Sequence, residues 1–401
     1  MEDAMRFVVR QPIFDYREQV EGYFLNIEKP TGGLVDTVSE VAAITVALDR
    51  IPRHSWAMVE CGVQVLASMA VRRLPMGRVV LAISSDEYAS AEMLRCVREL
   101  RREGFTFAIA DFEANREWEP YLPFMDWVAV RGSSLLCKMK KNLAAGKARN
   151  ARMIARNLDT RSDLAAADNC GFRYFEGAYY LSSAQELARE VPPAKLACLR
   201  LLTELQRPVL HYAVIENLIK AEPSFCYRFM RYMNSSAFFG VQKVTGIRHA
   251  MSLLGDDELR RWLSLMATVA AVDGRPTEVV VCAMLRARLC ELLSPDAPDA
   301  GFMTGLFSLM PLVVNMQLSA LLSVVRLPQA VERALWGEPG ALRALLDLAV
   351  AFERARWNMV HDLAHGLGIT DERVFAARGD ASRWTNGILA TQAAPANAMT
   401  A

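Results

Sequence analysis

The chain has 401 residues, 52% hydrophobic and 23% charged, a balance that supports large buried cores and excludes a disordered chain. Lys+Arg number 46 against Asp+Glu 45, so the net charge is +1 and no global charge draws the protein to nucleic acid or an anionic membrane. A chain of this length is expected to form two domains or three.

In chain order, the pattern from residue 78 alternates. RVVLAIS (78–84) is a short β-branched run, and SAEMLRCVRELRREG (90–104) spaces Met93, Leu94, Val97 and Leu100 as a helix with one buried face, stopped by Gly104. FTFAIADF and DWVAVRG (126–132) read as strands. A Lys-rich helix follows, then ARMIARNLDT (151–160), a helix near 161–169 and GFRYFEG (171–177). Strands alternating with helices predict a parallel sheet with helical crossovers, and repetition at this spacing favours a closed (β/α) barrel. Function is then expected at the carboxyl ends of the strands. Those ends carry Ala82, Asp111, Ala129 and then Arg156 with Asn157. Two-metal hydrolysis needs carboxylates that hold two cations about 3.5–4 Å apart, and one aspartate beside an arginine does not supply them. Asp111 is read as a cap or an ion-pair partner of Arg156, and the basic run from Lys138 to Arg152 as a solvated helix face.

VVRQPIFDYREQVEGYFLN, VVLAIS, FTFAIADFEAN, WVAVRG, MIARNLDT and GFRYFEGAYY resemble, in order, the strand-end motifs of EAL domains over about residues 5 to 185. That family comprises (β/α) barrel phosphodiesterases that cleave cyclic di-GMP with two divalent metals. The resemblance places the family's metal-binding glutamate at Phe24 and its phosphate-pairing arginine at Glu28. The metal-binding asparagine falls at Glu60 and the next glutamate at Ala82. The paired aspartates fall at Ala110 and Asp111, the water-orienting lysine at Ala129 and the late glutamate at Arg156. Gln11, Pro12 and the Tyr174–Phe175–Glu176–Gly177 ending are retained and read as scaffold. What the resemblance implies is the EAL fold without EAL activity, and Phe24 and Glu28 argue against cyclic di-GMP binding as well.

Near 183–195 the texture changes at a double proline, and the boundary is expected at 185–190. Beyond it, helices are predicted over 194–206, 211–221, 224–234, 245–254, 257–272 and 277–292, the fifth with a stripe of Leu259, Trp262, Leu263, Met266 and Val269. EVPPAKLACLRLL, AEPSFCYRFMRYMNSSAFFG and TGIRHAMSLLGDDELRRWLSLMA resemble the HDOD domain, a helical relative of the HD metal-dependent phosphohydrolases. The His-Asp pair of such hydrolases falls on Ser308 and Leu309, which implies a domain without the metal site. His361-Asp362, with His365 four residues on, has metal-ligand spacing but no third ligand close in sequence and reads as helix surface, as does His249.

Phe302 to Val325 carries no charged residue over a length that could span a bilayer. Pro311, Asn315 and Gln317 interrupt it, so two buried helices are expected instead. The eight cysteines form no C-x-x-C pair and, with no signal peptide at the N-terminus, read as reduced thiols of a cytoplasmic protein.

The expected fold class is α/β plus all-α: a modified (β/α) EAL-type barrel (1–185), then an all-helical HDOD domain with a C-terminal helical extension (186–390) and a disordered tail (391–401). The expected function is non-catalytic signal transduction through protein–protein contacts, with both domains enzymatically inactive and no cofactor. The HDOD domain would meet a partner in a signalling or motility pathway, a homodimer being compatible and a membrane not. The alternative is a metal-independent receptor for cyclic di-GMP or another anionic nucleotide at the barrel mouth.

Overall fold

The computed structural model describes residues 8–27, 37–49, 51–52, 55–84, 89–112, 116–131, 151–182, 196–205, 207–221, 247–271, 277–325 and 327–393. Glu28, the basic run from Lys138 to Arg149, the double proline and the 224–234 helix lie outside them. The chain divides into two compact units, Met1–Ala184 with Ala351–Val360, and Gln185–Val350 with His361–Ala401.

The first unit is a closed eight-stranded barrel in the order β1 to β8: Val8–Asp15, Val20–Ile27, Trp56–Glu60, Val79–Ser84, Thr106–Ala110, Trp127–Arg131, Arg152–Arg156 and Tyr174–Glu176. β2 to β8 pair in parallel, whereas β1 runs antiparallel to both β2 and β8 and closes the ring. This modifies the all-parallel expectation, and its cause is local. The Asp15 carboxylate accepts from Arg17 N and Gln19 N, both at 2.8 Å, which turns the chain back as a hairpin where a crossover helix would otherwise be needed.

The helix Ala91–Glu103 follows its sequence signals. The Ser90 side chain accepts from Met93 N at 3.1 Å, Gly104 closes the other end at φ 107°, and Met93, Cys96, Val97 and Leu100 are buried. Thr160 and Asp163 form a reciprocal capping box on Arg161–Asn169.

Inside the barrel, alternate residues form layers. Trp56 packs tilted on Trp127 and Trp127 meets Tyr174 edge to face, with centroids 4.8 and 4.9 Å apart, at the amino ends of the parallel strands. Above them Ile13, Phe24, Met58, Val80, Ala82, Ala108, Ala110, Ala129 and Ile154 make a dry cluster. Four of these are alanines, so the large Phe24 ring finds room across from them, as small barrels require.

Gly177 follows β8 at φ 143°, and a Cβ there would stand 2.3 Å from the Leu158 backbone N and O. Gly177→Ala is therefore expected to cost roughly 1–3 kcal/mol, read as a lowered denaturation midpoint at unchanged slope. A midpoint like that of the unaltered protein would refute this account.

The second unit is helical. Leu196–Glu204, Tyr212–Ala221, Ile247–Leu254, Asp256–Ala271 and Thr277–Leu293 match the expected spans within about two residues. Leu259, Trp262, Leu263 and Met266 are buried, as the stripe requires. The uncharged stretch breaks into Pro298–Phe307, Met310–Val314 and Leu318–Val324, with Asn315 at φ 57° between the last two. Among the described residues no helix is long and apolar enough to cross a membrane. The last helix runs Asp371–Ala393, three residues into the expected tail. Cys61, Cys96, Cys198, Cys282 and Cys290 are buried thiols in no disulfide, but Cys170 is disulfide-bonded, which corrects the expectation of a fully reduced set.

Candidate functional site

The carboxyl ends of β3, β5, β7 and β8 bring four charged side chains to one point. Arg156 ends β7 only 4% exposed, and its guanidinium holds three carboxylates. Nη1 lies 2.9 Å from Asp111 Oδ1 and 3.7 Å from Glu60 Oε1, and Nε lies 3.1 Å from Glu176 Oε2. The face of the guanidinium stacks on Phe24, with Cζ 3.7 Å from the ring centroid. Burial works against the charge on Arg156, but Glu176, Asp111 and Glu60 outweigh it and hold its pKa above the ordinary arginine value.

Backbone conformation helps to aim these groups. Asp111 and Asn157, each one residue past a strand end, adopt φ 54° and 56°, a left-handed geometry that Asp and Asn tolerate better than most residues. Asn157 N also donates to Glu176 Oε2 at 3.3 Å, so the turn after β7 secures the same carboxylate that Arg156 binds.

The other residues of the mouth are placed as follows. Gln11 pairs in register with Phe24 and accepts a hydrogen bond from Asn26. Ala82 and Ala129 are fully buried methyl groups of the dry cluster. Sequence reasoning missed Glu176, taken as scaffold, and Arg131. Arg131 ends β6 with its side chain 55% exposed and donates to Asp111 Oδ2. Asp111 is thus shared between a buried arginine and an exposed one, and among the described residues Arg131 presents an accessible guanidinium at the mouth.

In the second unit, Ser308 Oγ donates to Gly305 O at 2.7 Å and accepts from Arg286 Nη1 at 3.1 Å, while Leu309 is buried. His361 Nδ1 lies 2.9 Å from Asp371 Oδ2. Among the described residues no group of three or more His, Cys, Asp or Glu is placed to hold a metal ion. In the barrel the donor set explains why: a guanidinium already occupies the point where the three carboxylates converge. The described residues do not fit a divalent metal there.

Residues 191–327 match the HDOD domain family. The chain is 25% identical over 411 residues to the cyclic di-GMP phosphodiesterase CdgJ of Vibrio cholerae, covering 96% of this chain and 94% of the relative. It is 24% identical over 409 residues to the uncharacterized protein YuxH of Bacillus subtilis, covering 96% and 98%. A crystal structure of the FimX EAL domain from Pseudomonas aeruginosa bound to c-di-GMP is 16% identical, covers 44% of this chain and 90% of that one, and has a TM-score of 0.34.

The similarity to CdgJ overturns the expectation of a non-catalytic protein with two inactive domains, because an end-to-end relative is named as a phosphodiesterase. The structure places two further carboxylates, Glu60 and Glu176, with Asp111 around Arg156 at the mouth.

Proposed function

The chain joins an EAL-type barrel to an HDOD domain, and on that architecture we propose that it serves cyclic di-GMP signalling, engaging the cyclic dinucleotide at the carboxyl-end mouth of its barrel. The observation that carries this reading is the similarity to CdgJ along 96% of the chain, through both units and not one motif. The geometry adds a group suited to the ligand. Arg156 is buried and already balanced by carboxylates, so the phosphodiester charge would meet Arg131, whose planar donor fork is held in place by Asp111.

The test uses the full chain with cyclic di-GMP in the presence of Mg²⁺ or Mn²⁺ and two readouts. Calorimetry follows saturable binding, and chromatography follows the linear dinucleotide that ring opening releases. Saturable heat is expected, and Arg131→Gln should weaken it by roughly tenfold, the worth of one charge-assisted hydrogen bond. Appearance of the linear product would show that turnover accompanies binding at this mouth. Absence of both heat and product would remove the proposal.

A further inference from the structure

A second concave site lies entirely within the helical unit. It is a cavity of about 210 Å³ between the segment after Leu196–Glu204, the start of Asp256–Ala271 and the start of Pro298–Phe307. That volume is below the range of about 300–1,000 Å³ usual for small-molecule sites, so it suits one long side chain and not a dinucleotide.

The chemistry of the wall is divided. Its cations are committed. Arg260 donates to the Leu205, Arg207 and Pro208 carbonyls, at 2.6 Å to Arg207 and 3.1 Å to Pro208. Arg261 is bound to Glu291 at 2.9 Å and to Glu258 at 3.4 Å. Arg207 is bound to Glu204 at 2.9 Å. These bonds also fix the walls in place before anything binds. The acids Asp257 and Asp299 differ: both are exposed, both line the cavity, and among the described residues neither stands in an ion pair. The buried side chains of Phe302 and Met303 give the cavity an apolar lining. Val209, next to the lining residue Pro208, is 70% exposed.

An anion would meet arginines whose donors are already engaged, beside the exposed carboxylates of Asp299 and of Asp257, which also feels the charge of Arg261. A cation on an aliphatic stem fits both parts of the wall. We propose that this cavity receives an arginine or lysine side chain of a protein partner, its stem along Phe302 and Met303 and its charge answered by Asp257 and Asp299. The exposed apolar neighbour Val209 favours a protein over a free metabolite, because a filled pocket beside apolar surface is how interface anchors are seated. This gives chemistry to the partner expected for the HDOD domain, and it stands or falls independently of cyclic di-GMP in the barrel.

The experiment uses the full chain with methyl-labelled methionine and follows the Met303 resonance during titration with N-acetyl-arginine amide. N-acetyl-citrulline amide, of nearly the same shape without the charge, serves as the comparison. A saturable shift with the arginine amide alone is expected, weakened about tenfold or more by Asp257→Asn together with Asp299→Asn. The proposal is overturned by silence of Met303, by an equal response to citrulline, or by a response that the double variant leaves intact. Stronger binding of spermidine would overturn the assignment to a protein side chain. The citrulline comparison needs no substitution, so it decides the matter even if the variant misfolds.

Discussion

Arg156→Met should lower the stability of the barrel by about 3–5 kcal/mol, the cost of removing one partner from a buried charge cluster. For a unit of this size that corresponds to a fall of roughly 6–20 °C in Tm. The side-chain volume is nearly kept, so the loss would come from charge. Asp111 and Glu176, 7% and 1% exposed, would lose the buried cation they share. Two controls separate charge from packing. Adding Asp111→Asn and Glu176→Gln to Arg156→Met should recover much of the loss, because a cluster replaced as a whole can be nearly neutral. Arg156→Lys keeps the charge but forfeits the planar stack on Phe24 and the fork between two carboxylates, so it should fall between the two.

The pH dependence has a definite sign. The pKa of Arg156 is raised, so the stability it confers is fully present at neutral pH and is lost only as pH climbs through that raised value. The unaltered protein should show no loss from this group between pH 6 and 9. Thermal melts of the unaltered protein and of Arg156→Met across that range would sink the account if the gap between them closed as pH rose.

Much of the barrel was legible because its signals are local. Ser90 and Gly104 bracket a helix whose apolar spacing leaves no alternative, and the β-branched runs lie where strands form. The reversal of β1 was not legible, since its turn carries no Asn-Gly or Asp-Gly pair and Glu18 takes the positive φ of 57° without help from glycine. At the mouth, motif matching found Phe24, Asp111 and Arg156 but passed over Glu176 and Arg131. Strand alternation alone would have found both. Tyr174 faces the interior, so Glu176 two residues on does too, and Trp127, Ala129 and Arg131 share a face in the same way. The register confirms the neighbours, with Arg131 opposite Arg156 and Tyr174 opposite Ile154. The cavity of the helical unit was not readable, because segments about 50 residues apart meet only in the packed fold.

The two units share one device: an arginine occupies the polar point of the packing, at or against a position where the family resemblance places a metal ligand. In the barrel it is Arg156 among carboxylates. In the helical unit it is Arg286, buried, donating to Ser308. Such an arginine is held by the backbone around it, so the packing of its own helix matters.

That packing leads to the second large effect. Gly→Ala within an exposed helix ordinarily gains about 0.5–1 kcal/mol from lower chain entropy and better propensity. At Gly305 the sign should reverse. A Cβ there would stand 2.4 Å from the backbone C and O of Arg286, and one at Gly301 would stand 2.5 Å from Cys290 O. Backbone atoms in the middle of a helix cannot step aside as a side-chain tip can, so the helices Thr277–Leu293 and Pro298–Phe307 would have to separate. Overpacking of this kind costs about 1–3 kcal/mol, more than the propensity gain, and Gly305→Val should cost more again. Gly379→Ala is the counter-test. It lies within Asp371–Ala393 with its nearest neighbour, Arg383 Nη1, at 4.0 Å, so the ordinary gain should appear. Hydrogen exchange should show faster opening of 277–307 in Gly305→Ala and unchanged protection in the barrel strands. Equal effects of the two alanine substitutions would mean that helix contact does not govern Gly305, and the close approach that places Arg286 against Ser308 would lose its energetic basis.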